Sequence, residues 1–347
     1  MVVYYDRRAF LRLAVGVGIG LPLLAACSTT SATQPAANQT APAQATSLAK
    51  VTYAYASPNG LHFVATVGGE KPELGQPFGI EFDLLQTTNS PNAVNALVGN
   101  SVTVAAATPD SSWPALDKAP DIKQLWPVAN GTPYVMVAQP ELQNVASLKG
   151  KTLGVSALVG GADTTAVKIM GTENGLGAND YTLVQAGTVS DRTAAMQARS
   201  IDGCANLEPQ ASLLRDAGFP EIDTADNYAS LKGVHSIIMM ANKNWYQTDA
   251  AANFLRAWAA ITKWIYDPAN KDELLAITKK TMGGTDAGAM QVYKLHVESL
   301  SVPQNLMMNQ TMLQQFADNL RKAGIDNVPS DPMKYVDASL VTRTLNT

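Results

Sequence analysis

The chain has 347 residues, with Lys+Arg 25 against Asp+Glu 29 for a formal net charge of −4, and 46% apolar against 16% charged side chains. That balance excludes a collagen-like, coiled-coil or wholly disordered chain, and leaves no basic excess to displace counterions from nucleic-acid phosphates. The length suits one large or two medium domains, and the two cysteines, Cys27 and Cys204, exclude a disulfide framework and a cysteine-built zinc site.

Arg7 and Arg8 precede Ala9-Phe10-Leu11, and Leu13 to Ala26 is an uncharged apolar run. That run is shorter than the about 20 residues of a membrane span, so residues 1–26 read as a signal peptide. The paired arginines followed by Phe-Leu resemble a twin-arginine export signal, with general secretion as the alternative. Leu24-Ala25-Ala26-Cys27 resembles a bacterial lipobox, which implies a diacylglyceryl thioether on Cys27 and cleavage before it. The mature chain would carry 22 basic and 28 acidic side chains, a net charge of −6. Residues 27–49 are rich in Ser, Thr, Ala, Gln and Pro and carry no charge. They read as a lipid-anchored flexible linker with an r.m.s. reach of about 25 Å.

From Lys50 onward, short β-type runs alternate with helical stretches. Val51–Ala56 reads as a strand, and Ser57-Pro58-Asn59-Gly60 as a turn opening a helix near Leu61. Phe78, Ile80, Phe82 and Leu84 alternate at period two, the pattern of a strand with one buried face. Pro91 follows Ser90 as a first helical residue follows its cap. Val102–Ala107 and Tyr134–Ala138 are further strands of this first series. A second series starts at Ser147, with strands at Thr152–Val155, Tyr181–Gln185 and Ile201–Leu207. Gly160-Gly161-Ala162-Asp163 turns the chain into a helix near Thr164, Asp191–Ala198 is a helix, and Glu208-Pro209 opens another. After a strand at Ser236–Met240 the chain is helical almost to its end.

In that last part Phe254, Trp258, Ile261 and Ile265 share one helix face, which reads as core. Thr248 or Asp249 caps the helix, and Asp267-Pro268 ends it. Asn309–Lys322 is a second amphipathic helix, stopped by Gly324. Strands alternating with helices imply parallel-type α/β sheets. Two such series followed by helices without a sheet predict two lobes, with the late helices packed on the first. Lobe 1 is expected from 50–138 plus 235–347 and lobe 2 from 139–234, with crossovers near 133–140 and 233–241. A cleft then lies between the sheets, lined by loops at strand C-termini.

The residues that carry chemistry are sparse. His62, His235 and His296 are far apart, and no zinc-protease, paired-cysteine or EF-hand spacing occurs. His235 and His296 read as packed, whereas His62 falls where it could face the cleft. Gly154-Val155-Ser156-Ala157-Leu158 lacks the second glycine of a nucleophile elbow. Gly160-Gly161 is neither a P-loop nor a dinucleotide fingerprint. Asp110, Asp163 and Glu208 each follow a strand, either as helix caps or as ligand contacts. Cys204 reads as a small buried apolar residue.

Ser147-Leu148-Lys149-Gly150-Lys151-Thr152-Leu153-Gly154-Val155 resembles the start of the second lobe in bacterial solute-binding proteins of the nitrate/sulfonate/taurine type, a family that includes receptors for thiamine-precursor pyrimidines. Asn92–Val98 before the strand at 102–107, Ala194–Ala198 before Ile201-Asp202-Gly203, Glu208-Pro209, and Ala250–Tyr266 ending in Asp267-Pro268 are similar too. Leu207 stands where an aromatic residue is usual, and Thr66–Gly79 is richer in Gly and Pro than the pattern. The resemblance spans nearly all of 50–345. It implies a type II periplasmic-binding-protein-like α/β fold, with two α/β lobes, an interlobe cleft and two crossover segments.

The same resemblance implies an extracytoplasmic, membrane-anchored monomer that captures a small-molecule ligand and delivers it to an ABC permease. No catalytic residue, cofactor or metal is expected, since the residues offer no constellation for one. The alternatives are a TRAP-type receptor or ligand sensor, or an enzyme on the same scaffold akin to fungal pyrimidine synthases. By strand-end placement and the resemblance together, Ser57, Asn59, His62, Asn89, Ser90, Thr108, Asp110 and Asn130 line the cleft from lobe 1. Ser156, Gly161, Thr164, Asn206 and Glu208 close it from lobe 2. That set contains no Lys or Arg, and a carboxylate at Glu208 would repel anions while accepting hydrogen bonds from an amine or ring N–H. A neutral or weakly basic organic solute, such as a heterocycle, is therefore expected ahead of an inorganic anion.

Overall fold

The computed structural model describes residues 47–345. The export signal, Cys27 and nearly all of the expected linker lie outside the described residues; Ala49 already belongs to the first strand.

The first series runs β1 (Ala49–Tyr55), α1 (Phe63–Glu70), β2 (Ile80–Gln86), α2 (Ser90–Val98), β3 (Val104–Ala107), α3 (Pro109–Leu116) and β4 (Ile122–Asn130). The second runs β5 (Val135–Ala138), β6 (Thr152–Val155), α4 (Ala162–Glu173), β7 (Thr182–Gln185), α5 (Val189–Gln197), β8 (Gly203–Asn206), α6 (Gln210–Asp216) and β9 (Glu221–Thr224). Then β10 (His235–Asn242) leads to α7 (Lys243–Tyr246), α8 (Asp249–Tyr266), α9 (Lys271–Met282), α10 (Asp286–Tyr293), α11 (Gln310–Lys322) and α12 (Ser339–Leu345).

These strands form two five-stranded sheets, ordered β2-β1-β3-β10-β4 and β7-β6-β8-β5-β9. The βα alternation gives parallel pairing of β1 with β2 and β3, and of β6 with β7 and β8, since each helix returns the chain to the same sheet end. The alternation predicts parallel-type sheets, but both sheets are mixed. β10 is antiparallel to β3 and β4, and β5 is antiparallel to β8 and β9. The sequence reading also placed Tyr134–Ala138 in the first series, but β5 belongs to the second sheet. The chain therefore crosses between Asn130 and Val135 and returns between Thr224 and His235, so the first crossing precedes β5 rather than following Ala138.

β4 escaped the sequence reading because Pro127 interrupts it and Lys123 and Gln124 are polar. It lies at the sheet edge beside β10, with register shifts along that pairing, and Gln124 bridges Val336 on its other side. An edge is where a missing N–H is tolerated.

The stripe on α8 does what its spacing implies. Phe254, Trp258, Ile261 and Ile265 are buried, and the Thr248 hydroxyl accepts the Ala251 N–H at the helix start. Trp258 lies 5.9 Å from Tyr53, 6.1 Å from Trp126 and 5.9 Å from Phe254, ring centroid to centroid, and Phe254 lies 5.0 Å from Phe82. Tilted and edge-on rings at such separations contribute about 0.5–1.5 kcal/mol per pair beyond area burial. This cluster fixes the first sheet, and with it the loops that α1, α2 and α3 hold at the strand C-termini. His235, His296 and Cys204 are buried.

Candidate functional site

The loops after β1, β2 and β3 face those after β6 and β7 across a narrow cleft. Two side chains of the first lobe bond the backbone of the second directly. Asn89 Nδ2 donates to the Ser156 carbonyl at 3.2 Å, and Thr108 Oγ1 donates to the Gly160 carbonyl at 3.1 Å. Asn89 also caps α2 by accepting the Asn92 N–H, so one side chain sets both the helix start and the lobe contact. Between the lobes a cavity of about 30 Å³ remains, room for about two waters. The lobes are closed upon each other.

Ser57, Asn59, His62, Ser90 and Ser156 line this cavity. Asn59 accepts the Leu61 N–H and donates to the Ser57 carbonyl, both at 2.9 Å, which folds the first turn under the cleft. His62 Nδ1 meets Tyr53 Oη at 2.8 Å. Burial, reinforced by His296, lowers the His62 pKa to about 3, so the ring is neutral. Gly161 precedes α4, and a Cβ there would stand 2.8 Å from Thr164 Oγ1 and 2.9 Å from Asp163 Oδ1. Its lack of a side chain is what lets the turn wrap these groups. Thr164 bonds the Ala157 carbonyl and so shapes the loop without lining the cavity.

Eight of the thirteen predicted contacts do not line the cavity: Asn89, Thr108, Gly161 and Thr164 shape the loops around it, and Glu208, Asn206, Asn130 and Asp110 hold other contacts. Glu208 Oε2 accepts the Ser212 N–H at 3.0 Å and the Ser212 hydroxyl at 2.6 Å, while Arg215 bonds Oε1. Both carboxylate oxygens are thus engaged within α6, and Glu208 does not line the cavity. Its role in selecting an amine or ring N–H has no geometric basis. Asn206 is fully buried; its Nδ2 donates to Thr193 Oγ1 at 2.9 Å and its Oδ1 accepts the Leu207 N–H at 3.1 Å. Asn130 meets His235 Nδ1 at 2.8 Å at the crossovers, beside a separate cavity of about 550 Å³. Asp110 sits in the first turn of α3, near Thr108 and Thr165, and burial raises its pKa.

The sequence reading missed Arg192, Tyr134, Thr88 and Thr188, which all line the cavity. Arg192 and Asp163 form an ion pair with Nη1 3.2 Å from Oδ2, each side chain only 2% exposed. Asp163 does not cap its own helix. Its Oδ2 accepts the Ser156 N–H and its Oδ1 the Ser156 hydroxyl, both at 2.6 Å. Arg192 Nη1 also donates to the Gly187 carbonyl at 2.8 Å, and its Nε finds no acceptor among the described residues. Tyr134 completes this corner, its phenol pKa driven up by burial and by the Asp163 charge. A signal for Arg192 existed: a cation in the first turn of a helix opposes the helix dipole, and such a misplacement needs a local reason.

A family model described as NMT1/THI5 like matches residues 76–271. No curated protein matches the sequence. Among solved structures, the ligand-binding component of an ABC-type import system from Staphylococcus aureus superposes with a TM-score of 0.70 at 12% identity, covering 86% of this chain and 99% of that one. The alkanesulfonate-binding protein SsuA from Xanthomonas axonopodis pv. citri, bound to MOPS, gives 0.67 at 14% identity, covering 84% and 98%. DszB with biphenyl-2-sulfinic acid gives 0.59 at 14% identity, covering 86% and 99%. The fold is the type II periplasmic-binding-protein fold.

Proposed function

The chain belongs to the NMT1/THI5-like family, and from that membership we propose that it is an extracytoplasmic solute-binding protein feeding an ABC importer. It captures a small organic solute between its lobes and presents it to a permease. The observation that carries this reading is the cleft itself. Side chains of one lobe bond backbone of the other around a cavity that holds a buried ion pair, an arrangement suited to enclosing a ligand. A cavity of about 30 Å³ admits no organic solute as it stands, so capture requires the lobes to part and reclose, a ligand touching both sides favouring the closed state.

The likeness to the Staphylococcus aureus import component and to SsuA supports the same reading. The likeness to DszB favours an enzyme on this scaffold, but the groups near the cleft favour capture. Burial pushes the Cys204 thiol up to about 12, the opposite of an activated nucleophile. The lipobox-like Leu24–Cys27 segment supports a tether on the outer face of a membrane.

Mass spectrometry of the protein purified from membranes tests both parts. Denatured, the chain should begin at Cys27 with added diacylglyceryl mass; under native conditions it should carry a small non-covalent molecule. A mature N-terminus elsewhere would remove the anchor. Turnover of the co-purifying molecule by the protein would replace the capture reading with the enzymatic one.

A further inference from the structure

We infer that Asp163 sets the charge selectivity of the cleft, making it a site for net-neutral solutes, uncharged or zwitterionic, that offer a hydrogen-bond acceptor to Arg192. This rests on the solute-binding reading and gives it a ligand class. The ionisable groups lining the cavity are His62, Tyr134, Asp163 and Arg192. With the imidazole and the phenol uncharged, the full charges lining the cavity sum to zero; the buried carboxyl of Asp110, beside Thr108 and Thr165, lies outside that lining.

Asp163 already accepts from the Ser156 N–H and the Ser156 hydroxyl and is ion-paired with Arg192, which leaves it little capacity for a ligand donor. Arg192 is the side with capacity to spare: its Nε is buried without an acceptor among the described residues. A buried donor in that state carries a desolvation cost that a ligand acceptor offsets. Asp163 also stands in the first turn of α4, where its charge offsets the positive helix end that would otherwise attract an anion. A simple anion entering this closed space would add a net negative charge with no cation to balance it.

The test compares ethanesulfonate with its uncharged counterpart, ethanesulfonamide, by isothermal titration against the mature wild-type chain and Asp163→Asn. In the variant Arg192 is left as an uncompensated cation, so ethanesulfonate should bind tighter than to wild type by about tenfold or more. Ethanesulfonamide should show no such gain. A second exchange, Arg192→Gln on top of Asp163→Asn, should abolish the gain by removing both charges. If Asp163→Asn does not fold in plain buffer, refolding with and without ethanesulfonate gives the same readout, and rescue by the anion is expected. Wild type binding ethanesulfonate as tightly as the variant, or absence of rescue, overturns the inference. Tight anion binding by wild type would leave the solute-binding role standing while removing its charge rule.

Discussion

Arg192→Leu is expected to destabilise the fold by about 3–5 kcal/mol, the cost of leaving a buried charge without its partner. Asp163 would stay 2% exposed, facing Ser156 but no cation, and the Gly187 carbonyl would lose its donor. The two Ser156 contacts place the loss toward the lower end of that range. Replacing both partners with apolar residues of similar size, Arg192→Met with Asp163→Leu, should recover most of it, because desolvation of a buried pair offsets much of its attraction. Urea unfolding monitored by circular dichroism reads both. A loss below about 1 kcal/mol for the single change, the value of a surface pair, would contradict the burial assigned here.

Stability should also fall steeply with acid below neutrality. Burial lowers His62 and His296 to about 3 and His235 to about 4, while the unfolded chain holds histidine near its ordinary value of about 6.5. Between those limits the unfolded state binds more protons, so stability is fully present above about pH 6.5 and is lost as pH falls toward the folded values. Each histidine contributes about 1.4 kcal/mol per pH unit, and three together up to about 4, against a typical total of about 5–15 kcal/mol. His235 shows the local cause: its Nε2 accepts the Asn309 N–H at 2.9 Å, and a proton there would set donor against donor. Urea midpoints at pH 7.5 and 5.5 measure the loss; equal midpoints would contradict it.

Much of the frame was legible because it depends on periodicity and punctuation. The α8 stripe, the Thr248 cap and the amphipathic α11 follow from residue type and spacing alone. The crossings were harder to read, since β5 and β10 each run antiparallel to their sheet neighbours and pairing partners distant in sequence leave no mark on local pattern. In the site, Asn59, Gly161 and Ser156 were visible as turn and strand-end residues. Glu208 and Arg192 were not, because their roles depend on which partner tertiary packing supplies. Arg215, one helical turn beyond Ser212, occupies Glu208, and Asp163, from a different helix, turns Arg192 from a surface cation into part of the cleft.

The central claim is that a solute is enclosed by closure of the two lobes. Small-angle X-ray scattering of the mature protein, stripped of its co-purifying molecule and then resupplied with it, tests that most directly. The radius of gyration should be larger in the stripped protein and fall to that calculated from the closed structure as the molecule is titrated in, with the midpoint at its dissociation constant. A molecule that binds and raises the melting temperature while the radius of gyration stays unchanged across the titration would contradict it.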